Sequence, residues 1–290
     1  MIKRPMLAAA ATSEDLERLA YPLLGSPKLD GIRVFIHHEL GPVTRKLKPV
    51  PNEHIRKVLS DPQYHGIDGE IMLAGEGFNS IQSAVMSHSG TPNFEVWAFD
   101  YIAHVEALDT AFEFRLMHLS LEFPHSNIIK PLKHTIIPDA EAASDYASEC
   151  IANGFEGAVF RDPQGAYKQG RSTLKQQGMI KYKEFKDAEG IVVGFEELQH
   201  NANPEERDEL GYAKHSDKKE GMVAADTLGA LVLNTSWGTL RVGTGFDFAL
   251  RDKIWRNPNE YLNRQVTFKY QTHGMQDLPR FPVFLRFRDD

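Results

Sequence analysis

The alternation of apolar and polar positions predicts most of the regular structure of the chain. Ile32-Arg-Val-Phe-Ile-His, Ile67-Asp-Gly-Glu-Ile-Met-Leu, Phe94-Glu-Val-Trp-Ala-Phe and Gly157-Ala-Val-Phe-Arg have the short, alternating or β-branched runs of strands. Helical spacing covers residues 13–19, 52–59, 81–86, 111–121 and 139–152. The last of these opens at Asp139 after Pro138 and stops at Asn153-Gly154, residues that favour a helix start and a helix stop. Strands and helices alternate without the regular rhythm of a doubly wound sheet, so the pattern predicts an α+β domain of antiparallel sheets with helices. After Gly190 the character changes. Ile191-Val-Val-Gly-Phe, Leu228-Gly-Ala-Leu-Val-Leu, Thr239-Leu-Arg-Val-Gly, Gln265-Val-Thr-Phe-Lys-Tyr and Pro282-Val-Phe-Leu-Arg-Phe read as five short strands, with a helix at 248–255. That set suits an OB-fold β-barrel, a frequent nucleic-acid platform. The expected domains are 1–188 and 189–290, with a polar insertion at 200–221 too hydrophilic to be core.

Composition narrows the class. With 290 residues, 41% of them hydrophobic, there is material for one large core or two small ones. No apolar stretch is long enough to span a membrane, and Met1-Ile-Lys-Arg-Pro-Met-Leu lacks the apolar run of a signal peptide, so the expected setting is cytoplasmic. The single cysteine, Cys150, excludes an intrachain disulfide and a cysteine-based zinc site, and its place in the last helix predicts a core residue. Trp97, Trp237 and Trp255 are also expected in the core, and His37-His38 at a strand end.

The net charge of −7 argues at first against a nucleic-acid partner, but its distribution reverses that impression. Residues 157–188 carry 7 basic and 3 acidic side chains, and residues 241–288 carry 9 and 4. The acidic excess is concentrated in 100–156 and 189–240.

The first chemically pointed feature is Pro27-Lys28-Leu29-Asp30-Gly31-Ile32-Arg33, at the mouth of a strand. It reads either as a surface turn, since Asp-Gly is a favoured hairpin pair, or as a lysine nucleophile. A lysine becomes nucleophilic only when neighbouring cations or desolvation lower its pKa; Arg33 is one such neighbour, and Asp30 can position a metal or the lysine. Asp68-Gly69-Glu70 follows, then Phe99, Glu156-Gly157 and Met179-Ile-Lys-Tyr-Lys-Glu184. Strand spacing puts Lys181 and Lys183 on one face, and two inward lysines need an anion such as a triphosphate. Glu70 and Glu156 are hard-oxygen candidates for a ribose or a divalent cation.

This order of motifs resembles that of the ATP-dependent DNA ligases, within the covalent lysine nucleotidyltransferases that also include RNA ligases and mRNA capping enzymes. The likeness runs from about Met6 to Arg288 and is nearest to small viral and bacterial ligases made of an adenylation domain and an OB domain. It implies Lys28 as nucleophile and Asp30, Lys181 and Lys183 as its catalytic companions. It also implies a nucleotide site of Ser26, Leu29, Arg33, Arg45 (in Thr44-Arg45), Glu70, Phe99, Lys181, Lys183, Arg280 and Arg288. Phe99 would stack on adenine, the two lysines would meet the α-phosphate, and the arginines of Pro279-Arg-Phe-Pro-Val-Phe-Leu-Arg-Phe-Arg288 would orient pyrophosphate. Ser26 stands where it could read the adenine edge or cap a turn. Glu70 and Glu156 would hold Mg²⁺ or Mn²⁺. Arg45, Arg171, Lys175, Lys214, Lys218 and Lys219 are the expected DNA contacts.

The implied activity is the sealing of 3′-hydroxyl/5′-phosphate nicks in duplex DNA through AMP carried on Lys28, by a monomer. A hinge is expected at 186–190. The chain shows no separate N-terminal DNA-binding domain, so a DNA clamp would have to come from 200–221, where Asn201, Asn203 and Asp208-Glu-Leu-Gly211 match small phage-type ligases. An RNA ligase, a GTP-dependent capping guanylyltransferase and a non-catalytic OB protein are the alternatives. The first two are disfavoured by the ligase-like Lys183-Glu-Phe-Lys-Asp-Ala-Glu189 and the insertion, the third by the intact set of charged residues.

Overall fold

The structure, a computed structural model, describes residues 2–203, 205–207, 213–215, 221–275 and 277–288. It divides into two compact units, Met1–Lys183 and Glu184–Asp290.

The first unit runs β1 (Met6–Leu7), β2 (Ala9–Ala11), α1 (Ser13–Leu16), β3 (Leu23–Pro27), β4 (Ile32–His37), β5 (Gly41–Thr44), α2 (Glu53–Leu59), β6 (Ile67–Met72), α3 (Phe78–Met86) and β7 (Glu95–Tyr101). It continues with α4 (Phe112–Glu122), β8 (Ile129–Pro131), β9 (Thr135–Ile137), α5 (Ala140–Ala152), β10 (Ala158–Arg161), β11 (Gly170–Arg171) and β12 (Ile180–Tyr182). Two mainly antiparallel five-stranded sheets result, ordered β5-β4-β6-β7-β8 and β2-β12-β10-β3-β9, with β1 and β11 paired beside them. The first sheet buries Val34, Ile36, Ile67, Ile71 and Val96 against helices, and the second buries Leu23, Ile137, Ala158, Phe160 and Ile180. A further cluster of Met6, Phe35, Ile102, Tyr167 and Met179 packs with Phe99 of the first sheet and Val159 of the second.

The helices start where their caps allow. Asn52 accepts from Ile55 N–H at 3.0 Å and Asp139 from Ala142 N–H at 2.9 Å, each satisfying an amide that the first turn leaves open. α5 turns Ala143, Ala147 and Cys150 inward, so the cysteine is a buried core residue. The sequence pattern misplaces two helix boundaries. α1 stops at Leu16, and α3 begins at Phe78, one residue after Gly77. Trp97, Trp237 and Trp255 are half-buried rather than fully enclosed, the last two against the core of the second unit.

The second unit contains β13 (Lys186–Asn201), β14 (Glu205–Arg207), β15 (Ala213–His215), β16 (Met222–Thr235), β17 (Gly238–Val242), α6 (Phe248–Arg256), β18 (Gln265–Gln271) and β19 (Arg280–Phe287). Its sheet is ordered β17-β16-β13-β18-β19. A bridge between Thr244 and Val283, with Phe284 N–H donating to Thr244 O at 2.9 Å, joins the two edges, as an OB barrel requires. Val192, Leu231, Val242, Val266, Phe268 and Phe284 fill the interior with Ile254 of α6. Residues 186–190, expected as a hinge, are ladder residues of β13 paired with 266–270 of β18. In the insertion β14 and β15 form a short antiparallel pair. Lys214 lies on β15, whereas Lys218, Lys219 and the 208–211 segment lie outside the described residues.

Gly157 fixes the approach of β10 to β12: its φ is +148°, and a Cβ there would drive into the Tyr182 carbonyl oxygen. Gly157→Ala is expected to destabilise the protein by more than about 1 kcal/mol in denaturant unfolding, because both the backbone angle and the space disfavour a side chain.

Candidate active site

Lys28 follows β3, and Glu156 and Gly157 precede β10. Backbone hydrogen bonds register the two segments: Lys28 N–H donates to Gly157 O at 2.8 Å, and Glu156 N–H donates to Lys28 O at 3.1 Å. The side chains meet as well. One oxygen of Glu156 pairs with Lys28 Nζ and the other with Lys183 Nζ. Burial pushes the Glu156 carboxyl up, but Lys28 and Lys183 outweigh it and hold the group below its ordinary value.

Lys28 opens into a pocket of the first unit. Ser26, Leu29, Arg33, Arg45, Glu70, Phe99, Arg171 and Lys181 line it with Lys28, and Leu132, Val159 and Met179 supply apolar wall. Nine of the residues expected from sequence are therefore brought to one concavity, with Glu156 and Lys183 joined to it through Lys28. Asp30 is half-buried in the turn and is outside the pocket lining, as is the exposed Lys175. Arg280 and Arg288 belong to the second unit, where Arg280 Nη1 donates to His273 O at 3.1 Å and Arg288 pairs with Glu189.

The cations are held in place by acceptors behind them. Arg33 donates from Nε and Nη2 to the two oxygens of Asp68, at 2.8 and 2.6 Å, and from Nη1 to Met6 O at 2.6 Å. Its guanidinium also lies 5.3 Å from the centre of the Phe99 ring. Tyr167 Oη donates to Asp68 at 2.6 Å and accepts Met6 N–H at 3.0 Å. Arg171 Nη1 donates to Ala8 O at 2.8 Å. Burial lowers the Lys181 ammonium, with Lys183, Lys28 and Arg171 acting the same way. Burial lifts the Glu70 carboxyl to about 7, against the pull of Lys28 and Arg33. Among the described residues no three His, Cys, Asp or Glu side chains converge as a metal cage. Glu70 lines the pocket, and Glu156 stands beside it with its two oxygens paired to Lys28 and Lys183.

Sequence reasoning missed the supports. Asp100, next to Phe99, is wholly buried and accepts from Arg115 Nε at 2.7 Å and Arg161 Nη2 at 2.6 Å. Arg161 also donates to Gly178 O at 2.8 Å and lies 3.5 Å from the centre of the Phe112 ring. The one available signal was a charged residue closing the apolar run Glu156-Gly-Ala-Val-Phe-Arg161. Tyr167 and His134, a further residue of the pocket wall, have no flag in the sequence.

The ATP dependent DNA ligase domain family matches residues 5–183, and the DNA ligase OB-like domain family matches residues 221–288. The chain belongs to the ATP-dependent DNA ligase family. The crystal structure of Chlorella virus DNA ligase-adenylate is 30% identical, matches over 99% of this chain and 100% of that one, and has a TM-score of 0.57. A Lig E DNA ligase, 23% identical over 99% of this chain and 100% of its own, has a TM-score of 0.71 and speaks to the shared fold. A Kineococcus radiotolerans protein named "Probable DNA ligase" is 31% identical over 191 residues, which is 58% of this chain. A protein of the same name from Mycolicibacterium vanbaalenii is 30% identical over 66% of this chain. The matched segments make up 36% and 39% of those two proteins, so the chain corresponds to part of each. The ligase family's shared adenylation and OB architecture agrees with the α+β and barrel units described above.

Asp100 gives this site a stability test. Burial raises its pKa, but Arg161 and Arg115 outweigh burial and leave it at about 2, below the roughly 3.9 of an unfolded aspartate. Its contribution to stability is therefore present above the unfolded value and is lost as pH falls through the folded value. Asp100→Asn is expected to cost about 3–5 kcal/mol in denaturant unfolding and to flatten the stability profile between about pH 4 and 2, because it leaves two buried guanidiniums short of a counter-charge.

Proposed function

We propose that this chain is an ATP-dependent DNA ligase that seals 3′-hydroxyl/5′-phosphate nicks in duplex DNA, acting as a cytoplasmic monomer. The observation that carries the reading is Lys28 in contact with Glu156, beside Lys181, Lys183 and Arg33 and opposite Phe99, in the pocket of a chain of the ligase family. No helix among the described residues is long and apolar enough to cross a membrane.

In the first step Lys28 Nζ, having given up its proton, attacks the α-phosphorus of ATP. The bond to pyrophosphate breaks, and a lysyl-AMP phosphoramidate remains. AMP then passes to the 5′-phosphate at a nick, and the 3′-hydroxyl attacks that phosphorus and expels AMP. Each step is a displacement at phosphorus, so positioning and charge neutralisation supply the rate. Lys181 and Lys183 neutralise the phosphate oxygens, and Arg33, fixed by Asp68, keeps two donor hydrogens for the nucleotide. Glu156, paired to Lys28 by its own oxygen, is the nearest group to accept the nucleophile's proton. Glu70 and Glu156 are the residues that would hold Mg²⁺ or Mn²⁺, which when bound supplies Lewis-acid neutralisation of phosphate charge. Arg45 and Arg171 at the pocket, with Lys175 outside it, are the proposed DNA-facing cations of this unit. Arg280 and Arg288 are the proposed pyrophosphate-orienting pair.

Incubation with α-labelled ATP is expected to leave an acid-labile label on the protein that is absent in Lys28→Ala and is discharged by a nicked duplex with strand joining. Label taken from GTP and not ATP would make the chain a guanylyltransferase, and sealing of nicked RNA alone would make it an RNA ligase. The basic blocks also predict a salt effect despite the net charge of −7. Affinity for nicked duplex should fall by at least about tenfold between about 50 and about 200 mM salt, measured by fluorescence anisotropy.

A further inference from the structure

One buried hydroxyl of the first unit has no part in the chemistry above. Tyr167 is buried in the cluster of Met6, Phe35, Ile102 and Met179. Its Oη makes two hydrogen bonds. It donates to Asp68 Oδ2 at 2.6 Å and accepts Met6 N–H at 3.0 Å. Burial, reinforced by the Asp68 carboxylate, pushes the phenol well above its ordinary value, so the hydrogen stays on Oη.

Both partners of that hydroxyl also hold Arg33. Asp68 takes Arg33 Nε and Nη2, and Met6 presents the carbonyl that takes Nη1. The bonds close a circuit through four segments of chain: β4 with Arg33, β6 with Asp68, the 162–169 loop with Tyr167, and β1 with Met6. Arg33 also lines the pocket. Its guanidinium gives three donors to the circuit, and the direction of the remaining two depends on where the circuit holds the group.

Asp68 alone does not fix that direction. A carboxylate turns readily about its Cβ–Cγ bond, and a guanidinium bound to it turns with it. Met6 O is a second anchor, but β1 is a strand of two residues. Tyr167 Oη ties the two anchors to each other. Tyr167 is itself pinned: its N–H donates to Leu108 O at 2.7 Å, and its ring centre lies 5.8 Å from the Arg115 guanidinium. Arg171, the neighbouring pocket cation, is anchored separately to Ala8 O.

We propose that Tyr167 is a positioning residue whose hydroxyl locks Asp68 to Met6 and so aims Arg33 at the phosphates of the nucleotide. The charge of Arg33 survives without the hydroxyl, but its pocket-facing hydrogens lose a fixed direction. The assignment rests on the nucleotide-binding reading above and adds the group that orients one of its cations.

Tyr167→Phe removes the oxygen and keeps the ring. The first readout needs no nucleotide: solvent exchange of the Arg33 Nε–H by NMR, its resonance identified by its loss in Arg33→Ala. Exchange is expected to quicken by at least about tenfold in the variant. The Arg161 Nε–H, bonded to Gly178 O, should keep its wild-type rate. Equal quickening of both, or of neither, would overturn the assignment.

The second readout is a double-mutant cycle. Kd for α,β-methylene-ATP, which binds without turnover, is measured by calorimetry. Tyr167→Phe is expected to weaken it at least about fivefold, but no more than about twofold when Arg33→Ala is already present. The same loss in both backgrounds would mark a packing role and overturn the assignment. Should phenylalanine prevent folding, 3-fluorotyrosine at position 167 keeps the hydroxyl and makes it a stronger donor. It is expected to shift the Arg33 Nε–H resonance, and an unmoved resonance would overturn the assignment. A protein that shows the cycle yet takes no label from ATP would overturn the ligase reading and leave this assignment standing. A wild type that does not bind the analogue would overturn both.

Discussion

One carboxylate, Asp100, holds the two halves of the pocket together. It lies on β7, and its partners come from elsewhere: Arg161 at the end of β10 and Arg115 on α4. The bridge therefore spans the two five-stranded sheets, whose strands pair with one another nowhere in the ladders. Phe99 precedes Asp100, and Val159 stands two residues before Arg161, so the bridge sets the gap between the aromatic and aliphatic walls. Arg161 reaches also to Gly178 O, just ahead of the strand that carries Lys181. Three charges taken out of water are expensive unless every hydrogen bond is made, and here all three are engaged by charged or carbonyl partners.

The second constraint is electrostatic. The pocket gathers Lys28, Arg33, Arg45, Arg171 and Lys181 within a chain of net charge −7. The fold supplies local acceptors for these cations: Asp68 and Met6 O for Arg33, Ala8 O for Arg171 and Glu156 for Lys28 and Lys183. Charge at the site is thus balanced by contacts within the fold, in a chain that is acidic as a whole.

How far the sequence revealed this follows from the range of each interaction. Helix caps such as Asn52 and Asp139, alternating strands such as 32–37 and 67–72, and the five barrel strands are local patterns, and they appear where the pattern puts them. The residues of the pocket were legible because their motifs occur in a fixed order along the chain. Strands β3, β8 and β9 escaped, since short segments such as Leu-Leu-Gly-Ser-Pro have no period to detect. The partners of Asp100 escaped for a different reason. A pair separated by 61 residues, like Asp100 and Arg161, becomes visible only when the sheets are assembled. Tyr167 was unreadable for the same reason, because its bond to Asp68 joins residues 99 apart.

The backbone registration of Lys28 with Glu156 and Gly157 divides labour within the pocket. The location of Lys28 is inherited from backbone pairing, so it does not depend on which side chains furnish the remaining walls. The other wall residues, by contrast, come from a crossover loop and from strand faces that can change identity without shifting that pairing. Chemistry and recognition are thereby separable traits of one cavity. A lineage starting from this scaffold could drift in what it recognises, one wall residue at a time, while keeping the same bond-forming apparatus.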